Sequence, residues 1–312
     1  MMIVSKYFND IKDFINLEIG IKRYRGNMER FHFNPIPLNK YSRRFFPNIE
    51  TFHIYNEEDE EFDDGRIAKE VIWYTVDYSR YLKEKEAGNI CKNIKYTQYD
   101  RDIYGNIIPP EVKSLRDWCF KNCDELSSIT IPTPITKLGN NCFGECTSLK
   151  TINIPTSINE IGCWCFEGCK LLTSITIPST ITEIRNNCFC KCSSLKTINI
   201  PSSISKIGNC CFGECKSLTL INIPSSISKI GNEPFEECKS LIWMNIDNLQ
   251  FISKERIFMN EPVLISIKIP ENLQIINGKN IFKKDINEFI IPSSISKLGD
   301  SCFFWLFIIK IN

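Results

Sequence analysis

The chain has 312 residues, with 38 Lys and Arg against 37 Asp and Glu, and 43% of it is hydrophobic. That suffices to bury a core in one elongated domain or two compact ones, and the charge balance argues against a nucleic-acid or acidic-membrane partner. The longest apolar run, 303–309, falls short of the roughly 20 residues a membrane helix needs.

The opening residues, MMIVSKYFNDIKDF, carry Lys6, Asp10, Lys12 and Asp13, so they do not read as a secretory signal. The expectation from absent signals is a cytoplasmic chain with reduced thiols. Ile3, Val4, Tyr7, Phe8 and Ile11 follow helical spacing, and Phe14, Leu17, Ile21 and Tyr24 do so again. Asp13 falls in the break between them and is the expected cap of the second helix. The stretch VSKYFNDIKDFINLEIGIKRY resembles a degenerate F-box, with Asp13-Phe14 at the turn and Lys22-Arg23-Tyr24 near its end. That resemblance implies contact with a Skp1-like protein. A plain capping helix pair over residues 1–45 is the other reading.

Residues 46–108 read as an α+β capping region. FPNIETFHIY (46–55) echoes a strand, and VIWYTVDY and ICKNIKYT read as two more. The acidic run 57–64 reads as a solvated loop.

From residue 109 the chain repeats. Proline recurs every 23 residues at Pro109, Pro132, Pro155, Pro178, Pro201 and Pro224. The slot continues at Asp247 and Pro270, and returns one residue early at Pro292. Counting from each proline, offset 11 is always Phe (Phe120 to Phe235), offset 17 always Leu (Leu126 to Leu241), and offsets 3, 6, 20 and 22 are Ile-rich. One coil cannot bury this apolar surface, but stacked coils align each column into a continuous core. Ile-x-Ile before the proline reads as a short strand, stopped by the proline. Gly139, Gly162, Gly208 and Gly231 mark a second bend, with Arg116 and Arg185 interrupting that column.

The pattern Leu-x-x-Ile-x-Ile-Pro-x-x-Ile-x-x-Ile-Gly-x-x-Cys-Phe-x-x-Cys resembles the BspA-like leucine-rich repeat family. The resemblance implies an α/β-type repeat solenoid over 109–312, with eight repeats of 22 or 23 residues and a shortened ninth. It implies a right-handed winding, a concave parallel sheet and short 3-10 or helical turns. It also implies protein or cell-surface binding rather than catalysis.

Of 16 cysteines, six occupy offset 14 (Cys123, Cys146, Cys169, Cys192, Cys215, Cys238) and six occupy offset 10 (Cys119, Cys142, Cys165, Cys188, Cys211, Cys302). A disulfide wants Cβ atoms about 3.5–4.5 Å apart, closer than helical-turn neighbours or stacked rungs bring them. The columns are open ladders rather than closed sets of four, unlike structural zinc sites. The expectation is buried, free thiols acting as small hydrophobes. No metal or cofactor is expected. With His32 and His53 both outside the repeats, no base serves a nucleophile there, so a non-enzymatic chain is expected.

Side chains alternate along a strand, so offsets 19 and 21 point outward. Asn153, Thr176, Asn199, Leu220, Asn222, Trp243, Asn245 and Lys268 are therefore the candidate partner-binding residues of the concave sheet. Leu220 and Trp243 side by side form a candidate anchor, because Trp is enriched at binding hot spots. Packing of Trp243 over a neighbouring coil is the alternative. The offset-21 Asn residues are also expected to form an amide ladder. The last repeat ends in an apolar run with no polar cap, which predicts self-association at that end. Two roles stay open: a surface or adhesion protein, and an F-box-type adaptor presenting a target.

Overall fold

The computed structural model describes residues 8–246 and, beyond them, the strand segments Phe251–Ser253, Arg256–Met259, Val263–Lys268, Ile275–Ile276, Lys279–Asn280 and Lys297–Leu298. The expected self-association at the final apolar run, and most of the helix expected to begin at Ile3, lie outside the described residues. The chain forms two compact units, Met1–Lys95 and Tyr96–Asn312.

In the first unit, helix α1 (Ile11–Gly20) begins at Asp10, whose carboxylate accepts the N–H groups of Lys12 and Asp13. The Asp13 carboxylate reaches back to the N–H groups of Asn9, at 2.9 Å, and Asp10. Asp13 is thus the third helical residue and completes a capping box, rather than being the cap itself. Asp10 already supplies the cap chemistry, so no break forms at Asp13. The helix also stops before Ile21 and Tyr24, because Lys22–Tyr24 tightens into a 3-10 turn. Phe14 is fully buried, with the rings of Phe8, Phe46 and Phe31 edge-on at 4.8, 5.4 and 5.8 Å.

The three stretches expected as strands are β1 (Thr51–Ile54), β2 (Lys69–Asp77) and β3 (Ile90–Tyr96). They pair in parallel, Thr51 opposite Lys69 and Val71 opposite Ile90. Between β2 and β3 runs helix α2 (Tyr78–Glu86), started by Asp77 accepting the Arg80 N–H at 2.7 Å. The acidic run is a loop. Asp59 in it accepts the Tyr55 and Asn56 N–H groups at 2.7 and 3.0 Å, which shapes its first turn.

The second unit opens with helix α3 (Gln98–Tyr104), started by a Thr97–Asp100 capping box. Six coils follow, each beginning at one of the prolines from Pro109 to Pro224. Every coil carries a three- or four-residue strand before its end (Ser128–Thr130, Thr151–Asn153, Ser174–Thr176, Thr197–Asn199, Leu220–Ile223, Trp243–Ile246). A two-residue strand follows each proline, as at Lys137–Leu138 and Lys206–Ile207. Strands pair with their counterparts one coil away, in parallel and in the 23-residue register: Ser128 with Thr151, Thr197 with Leu220. This is a parallel β-solenoid.

Its core is the set of columns read from the repeat. Phe120, Phe143, Phe166, Phe189 and Phe212 are fully buried. Their rings stack face to face at 5.3–5.7 Å, and Phe235 continues the stack. Tyr96 heads it, 6.3 Å from Phe120. Burying each such ring contributes about 1.5–3 kcal/mol.

The far side of each coil, away from the strands, solves a backbone problem. Its residues are too tightly turned for a ladder, yet their N–H groups still need partners. Offset 9 adopts the left-handed region in all six coils, from Trp118 (φ 61°) through Cys210 (φ 48°) to Glu233 (φ 50°). Offset 13 does so too, as at Glu145 (φ 55°) and Glu214 (φ 54°). A non-glycine residue there costs about 1 kcal/mol. The gain is that alternate N–H groups point at the next coil: Trp118 to Asn140, Phe120 to Cys142 and Asn122 to Gly144, at 2.8, 2.8 and 2.9 Å. The intervening N–H groups bond within the coil, as Lys121 to Trp118. From Trp118 to Cys123 every backbone donor is paired in this way.

Two side-chain ladders reinforce the stack. Just after the glycine bend, Asp117 Oδ1 accepts the Asn140 N–H at 2.8 Å, and Asn140 Oδ1 accepts that of Cys163 at 2.9 Å. Asn186 serves Asn209, and Asn209 serves Asn232, at 2.9 and 2.8 Å. The offset-14 thiols form the second ladder. Cys146, Cys169, Cys192, Cys215 and Cys238 each donate to the phenylalanine carbonyl one coil earlier, at 2.9–3.2 Å. All described cysteines are free. The thiols pack as small hydrophobes, as expected, and also bridge coils through hydrogen bonds.

Candidate protein-binding site

The outward strip is built on the strands that precede each proline. Ile152, Ile175, Ile198, Ile221 and Met244 turn inward and are buried. Their neighbours Thr151, Asn153, Ser174, Thr176, Thr197, Asn199 and Asn222 are exposed. From Ser128 to Asn245 the outward positions hold hydroxyls, amides and two large apolar side chains, with no charge.

Those two are in register. Leu220 stands directly opposite Trp243, and Thr197 opposite Leu220 on the other side. Trp243 is 41% exposed. Leu220 is half-buried. Asn222 and Asn245 are paired on the same strands, and the Asn245 amide donates to Asn222 Oδ1 at 2.8 Å. That is the one amide–amide rung among the described offset-21 residues, where Thr130 and Thr176 flank Asn153 and Asn199 begins a run of three asparagines. The longer amide ladder lies instead at the bend after the glycine column, in two runs.

Lys268 is not on this strip. It stands on Val263–Lys268, opposite Arg256 of an antiparallel neighbour, while Ile275 takes the place beside Trp243. The repeat that would have carried Lys268 has Gln250 and Ser253 where the inward columns need Ile. It cannot bury those positions, and the chain pairs Phe251–Ser253 with Arg256–Met259 as a hairpin.

The strip is also not one sheet. Pairing stops between Thr151–Asn153 and Ser174–Thr176, and, past the prolines, between Glu160–Ile161 and Glu183–Ile184. A single junction between coils carries both breaks, and the sequence shows why. A Cβ on Gly162 or Gly231 would lie 2.5 Å from the backbone of the coil before it. Arg185 has that Cβ, so its coil stands off. The amide ladder fails at the same junction, because Cys163 replaces the Asn that would accept the Asn186 N–H. An ion-pair chain spans the gap instead: Lys137 Nζ to Glu160 at 3.0 Å, Glu160 to Arg185 Nη1 at 2.8 Å, and Arg185 Nε to Glu183 at 2.8 Å. The Thr180 hydroxyl also crosses to the Ile158 carbonyl.

Among the described residues, Cys210, Glu233 and Glu236 bring one ligand atom each within 4.8 Å of one another. Burial, with Glu236 and Glu233 beside it, pushes the Cys210 thiol up. Repeat spacing alone hid this grouping, because its members sit in different columns of two adjacent coils. No described helix is long and apolar enough to cross a membrane.

The sequence pattern for the BspA type leucine rich repeat region matches residues 95–196 and 182–308, in six copies. The chain belongs to the BspA-type leucine-rich repeat family. The left-handed turns, the phenylalanine stack and the parallel strands are how this member of the family builds its coils. No curated protein matches the chain. Among solved structures it is similar to a leucine rich cell surface protein of Faecalibacterium prausnitzii, at 23% identity and TM-score 0.38, over 61% of each chain. This BspA-type chain thus spans less than two thirds of that protein. It is also similar to a leucine-rich repeat protein of Bacteroides ovatus, at 17% identity and TM-score 0.43, over 85% of this chain and 78% of the other. The pneumococcal vaccine antigen PcpA matches at 14% identity and TM-score 0.29, over 82% and 81%.

Proposed function

We propose that this BspA-type chain binds a protein partner through the outward strip, with Leu220 and Trp243 as its anchor and Asn199, Asn222 and Asn245 as flanking polar contacts. The observation that carries this is the exposed Trp243 indole in register beside Leu220, on a strip that is otherwise uncharged. A large aromatic gives up much apolar surface on binding while losing few rotamers. Amides and hydroxyls around it donate and accept, so they fit a partner's backbone as well as its side chains. Thr176 and Asn153 extend the strip across the interrupted junction. Lys268 has no part in it.

The test is affinity for a partner captured by cross-linking from Thr197, compared across variants. Trp243→Ala and Leu220→Ala each weaken binding by about tenfold or more if they are anchors. Leu171→Ala, another exposed apolar side chain, leaves it unchanged. Equal affinity for Trp243→Ala and the natural chain overturns the reading.

A surface setting is the second half of the proposal, supported by membership of the BspA-type family. Surface biotinylation of intact source cells reads it directly. Labelling of the chain supports it, and protection alongside a cytosolic control refutes it.

A further inference from the structure

The thiol ladder has a direction, and its first member lacks the phenylalanine carbonyl that the others donate to. Each offset-14 thiol from Cys146 onward gives its hydrogen to the phenylalanine carbonyl one coil earlier. Cys123 belongs to the first coil and has no phenylalanine coil before it. The entry segment, Tyr96 and helix α3, presents a cation to it instead of a carbonyl. Arg101 Nη1 donates to Cys123 Sγ at 3.1 Å and to the Lys121 carbonyl at 3.2 Å. Arg101 Nη2 and Nε both hold Asp102, at 2.7 and 3.1 Å, and the Arg101 side chain is 12% exposed. The guanidinium is therefore fixed from two sides. At Cys123 the thiol's role is reversed, from donor to acceptor.

A second thiol lies alongside. Its own hydrogen goes to the Phe120 carbonyl, as elsewhere in the column: Cys146 Sγ lies 2.9 Å from that oxygen. Cys123 is also the one member of its column that solvent reaches: the other five are buried. A sulfur that accepts a hydrogen bond from a cation, and that is reachable, has the surroundings of a reactive cysteine.

We infer that Cys123 is a site of thiol–disulfide exchange with small soluble disulfides, with Arg101 as its positioning residue. Cys123 first loses its proton to solvent. Its sulfur then attacks one sulfur of the small disulfide and forms a new S–S bond. The original S–S bond breaks, and its electron pair leaves with the other half as a thiolate, which takes up a proton. Cys123 is oxidised to a mixed disulfide and the released half is reduced, so the electrons balance. Excess thiol reverses the reaction by the same route.

The electrostatics agree with the geometry. The charge and hydrogen bond of Arg101 pull the Cys123 thiol below its ordinary range, against burial and the nearby Asp102 carboxylate. Its neighbour Cys119 is pushed the other way, by burial first. So are Cys91, to about 11, and Cys210, again by burial first.

The test uses the full chain, reduced and desalted, with dithiodipyridine at substoichiometric ratio and neutral pH. Acid quenching and peptide mapping by mass spectrometry then give a rate for each thiol. Cys123 is expected to react about tenfold faster than Cys91, Cys163 and Cys210, the other half-buried thiols. A rate at Cys123 no greater than theirs overturns the proposal. The pH–rate profile of Cys123 is then compared in the natural chain and in Arg101→Gln, with circular dichroism confirming the fold. The midpoint moves to higher pH in the variant if Arg101 holds the thiolate. An unmoved midpoint removes Arg101 from the assignment.

Discussion

The Cys192 sulfur lies 3.1 Å from the carbonyl oxygen of Phe166, one coil earlier, and both residues are fully buried. That carbonyl already accepts the N–H of Cys169 within its own coil. The thiol uses its second lone pair, so one phenylalanine carbonyl ties two coils together. Replacing the sulfur with a methyl group removes the bond and leaves a small void. Cys192→Ala is expected to lower stability by about 1–2 kcal/mol, read as a shift in urea midpoint with unchanged slope. Cys163→Ala, in the half-buried column at the bend, is expected to change it by less than about 0.5 kcal/mol. Equal effects at the two sites would mean the ladder adds nothing beyond surface packing.

Buried thiols of both columns make the solenoid sensitive to alkali. Burial raises Cys169, Cys211 and Cys238 from an ordinary thiol value of 9.0 to about 12. In the unfolded chain they ionise near 9, so above that pH the native state holds more protons than the unfolded state. Stability is therefore fully present below pH 9 and falls as pH rises from 9 towards 12, by about 1.4 kcal/mol per pH unit for each such thiol. Denaturant midpoints at pH 8, 9, 10 and 10.5 check this. A flat profile across that range would show that the thiols are not shielded from water.

The repeat itself was plain from the sequence, and the reason is physical. A coil that stacks on copies of itself must offer each neighbour the same contact, so Phe143, Leu149 and Ile152 recur at fixed spacing and their burial follows. What the columns could not show is how polar positions are used. The offset-21 residues looked like the amide ladder because they face along a sheet. In the structure Thr176 interrupts them, and the longer ladder runs at the bend, through Asn140 and, past the break at Cys163, through Asn186 and Asn209. A signal for it was present: each of those residues follows the glycine column, or the arginine that replaces it. The junction at Arg185 was visible only as a gap in a glycine column. Its effect on two strands upstream needed the close backbone approach that the glycines permit. Counting by 23 puts Lys268 on the strip only if the coil after Asn245 folds like the others, and Gln250 and Ser253 in the inward columns rule that out.

The bend ladder can be tested without disturbing the core. Asn209 is exposed, yet its Oδ1 accepts the Asn232 N–H at 2.8 Å while its own N–H goes to Asn186 Oδ1 at 2.9 Å. Asn209→Ala removes one acceptor and is expected to cost about 1 kcal/mol. Asn209→Asp keeps an acceptor of the same shape. Asp117 already plays that part for Asn140, so Asn209→Asp is expected to retain most of the stability. The comparison is again by urea midpoint. If alanine and aspartate behave alike, the side-chain oxygen is not what matters there.

The glycine column and its exception give the sharpest contrast. A Cβ at position 208 would fall 2.5 Å from Asn186 Oδ1 and 2.6 Å from the Asn186 backbone nitrogen. Real Cβ atoms do not approach that closely, so Gly208→Ala must push its coil off the one before it. It is expected to cost about 1–3 kcal/mol and to open a second break in the strand pairing. The reverse change, Arg185→Gly combined with Cys163→Asn, supplies both features that the interrupted junction lacks. It also removes the surface ion pairs of Arg185 with Glu160 and Glu183, which contribute little at that exposure. The double variant is expected to raise stability by about 0.5–2 kcal/mol. It is also expected to slow amide exchange at Thr182 and at position 185, which gain carbonyl partners one coil earlier. Fast exchange at those two amides in the double variant would show that something other than the arginine Cβ holds the coils apart.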